Sequence, residues 1–196
     1  MNFKETETCK NLMRAFAGES QARNRYTFAA SLARKNNQYV VEAVFNYTAG
    51  QEKEHAEVFY NLLSECAGET ITVDGGYPVD ITNDVTELLE KAKHNEYEEY
   101  QDAYPAFAEK AKEEGFDNIA NIFSKIAEIE KIHGDRFGRL AEALKSGQMY
   151  MSDCETKWMC LNCGHVINAK GVPEKCPVCN HDKGYFIRME FSPYEN

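Results

Sequence analysis

The stretch "HNEYEEYQDAYP", residues 94–105, decides how the rest of the chain is read. At helical pitch, Glu96 and Glu99 fall on one face with Val85, Leu89, Ala92, Tyr100, Ala103 and Phe107, a stripe that is otherwise apolar. An ionised carboxylate buried without compensation costs several kcal/mol, so positive charge must sit between those side chains if the helix is real.

Working outward, the same apolar period of three and four runs from Thr6 to about Lys35, Gln38 to Cys66, Asn83 to Glu114 and Phe116 to Ser146, predicting four long helices. "ARKNNQ" and "KEEGFDN" are short joints, the second with a glycine suited to a helix C-cap. Helices one and two, and three and four, are therefore expected to be antiparallel neighbours. "AGETITVDGGYPVDITND" is a longer crossover between the two pairs. After "SGQMYMSD" the helical period stops. A helical domain over residues 1–150 is expected to give way near Asp153 to a second domain reaching residue 196, turn-rich and cysteine-bearing. Some 45 residues are too few to hold a fold by apolar burial alone, so a metal staple is needed there.

The chain has 196 residues, 43% of them hydrophobic, enough for one ordinary domain and a small one. A net charge of -10 argues against nucleic acid or an anionic membrane as partner. "MNFKETETCK" lacks the apolar run of a signal peptide, and no segment approaches the roughly 20 apolar residues that span a bilayer, so a cytoplasmic protein is expected. Of seven cysteines, four fall into two tight pairs, as metal ligands do in a reducing compartment; Cys9, Cys66 and Cys154 lack such spacing and read as ordinary thiols.

Helix two carries "EKEH", with Glu52 and His55 on the stripe Val41, Phe45, Thr48, Phe59, Leu63; helix four carries "EKIH", with Glu130 and His133 on the stripe Ile119, Phe123, Ile126, Phe137. Helix one offers Glu19 and helix three Glu96. Glu19 precedes Glu52 by 33 positions and Glu96 precedes Glu130 by 34, the mark of a duplicated helical hairpin. A glutamate three positions before a histidine is a weak signal alone, since most such pairs are solvated. Four coincident placements on apolar faces are a strong one. Two divalent ions held by carboxylates and imidazoles from four helices would neutralise charges otherwise too costly to bury. Glu99 is a fifth carboxylate on that face, and Tyr26 and Tyr104 are placed to send hydroxyls toward the ligands.

In the tail, Cys160-Leu161-Asn162-Cys163 and Cys176-Pro177-Val178-Cys179 form two knuckles able to close on one ion. Ligand type alone leaves zinc and iron open. His94, His165 and His181 read as exposed and surplus.

One Glu and one Glu-x-x-His from each half is the known ligand pattern of ferritin-like di-iron bundles. With Glu99 and the tetracysteine tail added, the chain resembles the rubrerythrin family over essentially its whole length; "EYEEYQDAYP", "WMCLNCGHV" and "PEKCPVCN" carry the resemblance. The fold implied is an all-α, ferritin-like four-helix bundle followed by a small metal-stapled β/loop domain of rubredoxin type. The activity implied is that of a non-haem peroxidase reducing hydrogen peroxide to water, a defence against oxidative stress. Its implied cofactors are a di-iron centre on Glu19, Glu52, His55, Glu96, Glu99, Glu130 and His133, and one Fe(Cys)4 iron on Cys160, Cys163, Cys176 and Cys179. The resemblance further assigns Glu99 and His55 to one iron as alternates, the carboxylate when oxidised and the imidazole when reduced. Two ferrous ions balance four carboxylates, and two ferric ions with a hydroxide balance five, so the exchange keeps the buried site near neutral. Electrons are expected from NADH or NADPH through a rubredoxin or a separate reductase, because no Gly-rich nucleotide fingerprint occurs here. A homodimer or higher homo-oligomer is implied as well, one subunit's tail approaching the other's di-iron site.

Two other readings fit parts of the chain. A ferroxidase or iron-storing ferritin relative needs the same helices but has no use for the tail; a non-enzymatic metal-binding module would hold structural zinc as a substitute for iron.

Overall fold

The computed structural model describes residues 2–192. The last four positions of the expected tail domain, and residue 1, lie outside the described residues. Helix α1 spans Glu7–Lys35, α2 Tyr39–Leu62, α3 Val85–Glu98, α4 Tyr104–Glu113 and α5 Asp117–Lys145.

Local chemistry sets the helix ends. Thr6 caps α1 by accepting a hydrogen bond from the Cys9 N–H (3.1 Å), and Asp84 caps α3 by accepting from Thr86 and Glu87. A third cap comes from afar: the Glu114 carboxylate, just past α4, accepts from the backbone N–H groups of Glu7 (3.1 Å) and Thr8 (2.8 Å) at the start of α1. Gly115, at φ +85°, ends α4 in the left-handed conformation that glycine adopts without strain. Asn37, at φ 57°, does the same work in the first joint.

α1 packs along α2, and α5 along α3 and α4, as the short joints require. Apolar side chains from all four long rods fill two layers. One is built on Tyr26, Val41, Phe45, Leu89 and Phe137, the other on Leu12, Phe59, Tyr104, Ile119 and Phe123. The carboxylates lie between these layers.

The third expected helix departs from regularity. Residues Glu99–Ala103 form a π-turn between α3 and α4, in which the Tyr104 N–H bonds to the Glu99 carbonyl, five residues back. Its origin is visible in the duplicated sequence. Glu19 and Tyr26 stand seven positions apart, whereas their counterparts Glu96 and Tyr104 stand eight apart. A wider turn absorbs the extra residue and keeps Tyr104 at the place that Tyr26 holds in the other half. It also explains the spacing of 34 against 33.

The tail holds a three-stranded antiparallel sheet in the order β2-β1-β3, with β1 Met151–Cys160, β2 Val166–Gly171 and β3 Phe186–Arg188. Trp158, Cys160, Cys176 and Phe186 form its small core. It docks on the joint between α1 and α2: Tyr185 stacks on Tyr39 with centroids 4.0 Å apart, Tyr150 donates to Gln38 (2.7 Å), and Ile187 enters the apolar layer of the bundle. No helix among the described residues is long and apolar enough to cross a membrane.

Candidate metal centres

Glu19 from α1, Glu52 and His55 from α2, Glu96 from α3, and Glu130 and His133 from α5 converge between the two apolar layers. The four glutamates and His133 are each at most 1% exposed and His55 is 8% exposed, so bulk water does not compensate these charges. Their donor atoms group into two sets, Glu19, Glu52, His55, Glu130 and Glu52, Glu96, Glu130, His133, each with all its atoms within 4.8 Å of one another. Glu52 and Glu130 belong to both sets, as carboxylates bridging two ions would.

Close approach here is not hydrogen bonding. His55 Nδ1 lies 3.0 Å from Glu130 and His133 Nδ1 lies 2.8 Å from Glu130 and 3.0 Å from Glu52. Even so, both Nδ1 atoms, both oxygens of Glu52 and of Glu130, and one oxygen each of Glu19 and Glu96 lack any hydrogen-bond partner of acceptable geometry. The distances are those of convergence rather than bonding, since the atoms of each set all lie within 4.8 Å of one another. Orphaned buried donors and acceptors are rare in folded proteins, and two divalent cations, one within each set, satisfy all of them.

Metal-free electrostatics agree. Burial pushes Glu19 and Glu96 well above the usual carboxylate range, and neighbouring glutamates push them further. For Glu52 burial acts upward too, but contact with His133 and His55 outweighs it and holds the group at about 2. Burial lowers His133, whereas Glu130, Glu52 and Glu96 raise it to about 12. The pocket demands positive charge.

The other oxygens of Glu96 and Glu19 are already engaged. Tyr26 donates its hydroxyl to Glu96, and Tyr104 donates to Glu19, a reciprocal pair linking α1 with α3 and α4 with α1. Glu99 joins neither ligand set. Half-buried, it lines a cavity of about 220 Å³ with Gly18, Tyr77, Tyr104 and the crossover glycines Gly75 and Gly76. A larger cleft of about 400 Å³ between α2, α5 and the tail contains none of these carboxylates, so the smaller cavity is the one that concerns the site.

Sequence reasoning missed one group. Gln51 Oε1 lies 3.1 Å from His133 Nε2 and accepts a hydrogen bond from Arg136 (3.1 Å), which also donates to Thr48 (3.0 Å). Nothing in the spacing of a polar residue beside Glu52 announced this.

In the tail, Cys160 and Cys179 have sulfurs 3.8 Å apart, Cys163 and Cys176 3.7 Å. A tetrahedron of sulfurs about 2.3 Å from a central ion has edges of about 3.8 Å, so the spacing is that of a ligated set. The two knuckles are built alike: Cys160 N bonds to His165 O and Cys176 N to His181 O, and Gly164 and Asn180 each follow the second cysteine with positive φ. His94 and His181 are exposed as expected. His165 is half-buried instead.

The family model described as "Rubrerythrin" matches residues 10–141, and that described as "Rubrerythrin, rubredoxin-like domain" matches residues 158–187. Rubrerythrin of Porphyromonas gingivalis is 43% identical over 96% of this chain and 93% of its own. The chain belongs to the rubrerythrin family. Rubrerythrin of Nitratidesulfovibrio vulgaris is 39% identical over 94% of this chain and 95% of its own. Nigerythrin in its fully reduced, all-ferrous state superposes with a TM-score of 0.63 at 26% identity, covering 96% of this chain and 93% of that one. The expected ferritin-like bundle with a rubredoxin-like tail is therefore the fold. As a rubrerythrin-family protein the chain carries a di-iron site and a tetrathiolate iron site, and it is an iron-dependent oxidoreductase.

Proposed function

We propose that the chain is a peroxidase that reduces hydrogen peroxide to two waters, with electrons relayed through the tail iron from an external NAD(P)H-dependent reductase. Glu19, Glu52, His55 and Glu130 would hold one iron and Glu52, Glu96, Glu130 and His133 the other, with Glu99 as the alternate to His55. Cys160, Cys163, Cys176 and Cys179 hold the third iron. When bound, the iron pair supplies two electrons and the positive charge that favours O–O cleavage.

The observation that carries this reading is the position of Glu99. It stands outside both ligand sets, beside Glu19 and Glu96, at the wall of a cavity sized for a small oxidant. Burial and the neighbouring glutamates push its carboxyl well above the usual range, so a free Glu99 keeps its proton. The residue thus stores a proton where a leaving hydroxide needs one, and Tyr104 and Tyr26 hold two more, each one hydrogen bond from a ligand carboxylate. The external reductase collects the hydride from NAD(P)H, since the sequence carries no Gly-rich nucleotide fingerprint. We place the protein in the cytoplasm as a homodimer in which each tail serves the partner's iron pair.

The test is a stopped-flow comparison of diferrous protein mixed with hydrogen peroxide or with dioxygen. Faster oxidation by peroxide, with turnover restored by a rubredoxin-type donor, is the expected result. Faster oxidation by dioxygen with retention of added iron would instead establish a ferroxidase.

A further inference from the structure

Two of the cysteines that read as unremarkable in the sequence meet in space. Cys9, in the first turn of α1, and Cys66, in the short turn after α2, are 57 positions apart, yet their sulfurs lie 3.5 Å from each other. Both thiols are free and buried, at 1% and 5% exposure, in the layer that contains Phe3, Leu12, Phe59 and Leu63. The metal sites use neither.

We propose that Cys9 and Cys66 form a peroxide-driven redox pair, oxidised to an intramolecular disulfide that ties the start of α1 to the start of the crossover. Sulfurs in a disulfide are about 2 Å apart, so closure needs a further movement of about 1.5 Å, within reach of a side-chain rotation together with a small shift of the three-residue turn Ser64–Cys66. Cys66 is the entry point. It is the more exposed of the two and adjoins exposed Glu65 and Ala67, whereas Cys9 is sealed inside and burial pushes its thiol up to about 12.

The steps balance. The Cys66 sulfur attacks one peroxide oxygen, the O–O bond breaks, and a sulfenic acid and one water form. Cys9 then attacks the sulfenic sulfur, the S–O bond breaks, and its own proton leaves with the hydroxide as the second water. Two electrons pass from the two sulfurs to one peroxide. A thiol reductant of the glutathione or thioredoxin class reverses the change. The bond closes a loop around the whole α1–α2 hairpin, the half of the bundle that brings Glu19, Glu52 and His55, and so stiffens the metal site against unfolding when peroxide is abundant. This goes beyond the peroxidase reading and does not depend on it, since peroxide acts here as a reagent on sulfur.

The iron-loaded full chain is treated anaerobically with graded hydrogen peroxide, quenched in acid, alkylated under denaturing conditions and mapped by peptide mass. The expected result is a Cys9–Cys66 cross-linked peptide pair, two mass units lighter than the sum of the free peptides, with Cys154 alkylated. The treated protein should also melt on the order of 10 °C higher than after dithiothreitol. In Cys9→Ser, Cys66 should accumulate as a sulfenic acid that dimedone traps, while the visible spectra of both iron sites match those of the parent protein under the same treatment. Full alkylation of Cys9 and Cys66 after peroxide has oxidised the iron, or pairing of Cys66 with Cys154, overturns the proposal. Both outcomes are independent of turnover.

Discussion

His133 turns its Nε2 toward Gln51 Oε1, 3.1 Å away, and leaves Nδ1 facing Glu52, Glu96 and Glu130. Because Arg136 also donates to that Gln51 oxygen, the oxygen is an acceptor and the proton must sit on Nε2. Nε2 therefore keeps its proton when the ring gives up the one on Nδ1, and the Nδ1 lone pair is the one offered to a metal. Gln51→Leu removes the acceptor while keeping much of the volume. A loss of about 10- to 100-fold in ferrous affinity at the His133 site is expected, read by competition with a chelator. Wild-type affinity would show that the contact does not orient the ring.

Glu99→Ala removes the fifth carboxylate without touching either set of convergent ligands. Two irons should still bind, by metal analysis, while peroxide turnover falls by at least about 100-fold, in the range for a lost general acid. Retained turnover would remove Glu99 from the reaction.

The convergence of the buried Glu and His clusters was legible because charge on an apolar stripe violates burial rules, and four such violations at matching spacing have a common cause. The tetracysteine knuckles were legible for a similar reason of fixed spacing. Other features depend on long-range geometry that periodicity does not encode. The π-turn at Glu99–Ala103 looks like ordinary helix in the sequence until Glu96 and Tyr104 are compared with Glu19 and Tyr26. Gln51 shows its role only once α5 lies against α2. Cys9 and Cys66 gain a partner only when the hairpin closes.

The Glu114 carboxylate reaches the N-terminus of α1 from the far end of α4. Burial pushes this carboxyl upward, but the hydrogen bonds from Thr8 and Glu7 outweigh it and hold the group below its ordinary 4.5. A group depressed in the folded state stabilises fully above its unfolded value and loses that contribution as pH falls through the folded one. Glu114→Gln should therefore cost about 1 kcal/mol near neutral pH, or roughly 2–4 °C in Tm. The gap between variant and parent, both metal-free, should shrink as pH drops below 4.5. A gap that is constant down to acid pH would assign the effect to shape rather than charge.

Gly184 is where the tail meets the bundle. A Cβ built there would lie 2.0 Å from the Asn37 carbonyl oxygen and 3.0 Å from the Tyr39 ring. Backbone cannot yield as a flexible side chain can, so Gly184→Ala should push the tail off the α1–α2 joint and break the Tyr39–Tyr185 stack. The expected signature is faster proteolysis within residues 146–151 with the red colour of the ferric tetrathiolate intact. Unchanged protection would mean that the two parts are held together by other contacts.

Removing iron tests the metal pocket as a whole. Without it, burial pushes Glu19 and Glu96 upward, and Glu130, Glu52 and Glu96 overcome burial to raise His133, so these groups hold their protons more tightly than exposed ones do. Returning ferrous ions must expel those protons, because a ligating carboxylate or imidazole nitrogen cannot keep one. Apparent affinity should consequently rise with pH, and titrations in two buffers of different ionisation enthalpy should reveal proton release. Metal at about 100 times its Kd adds about 2.7 kcal/mol to stability, or roughly 5–10 °C in Tm for a chain of this size. Binding that released no protons would mean that the metal-free cluster compensates its charge some other way, and the pairing of orphaned oxygens with cations would lose its basis.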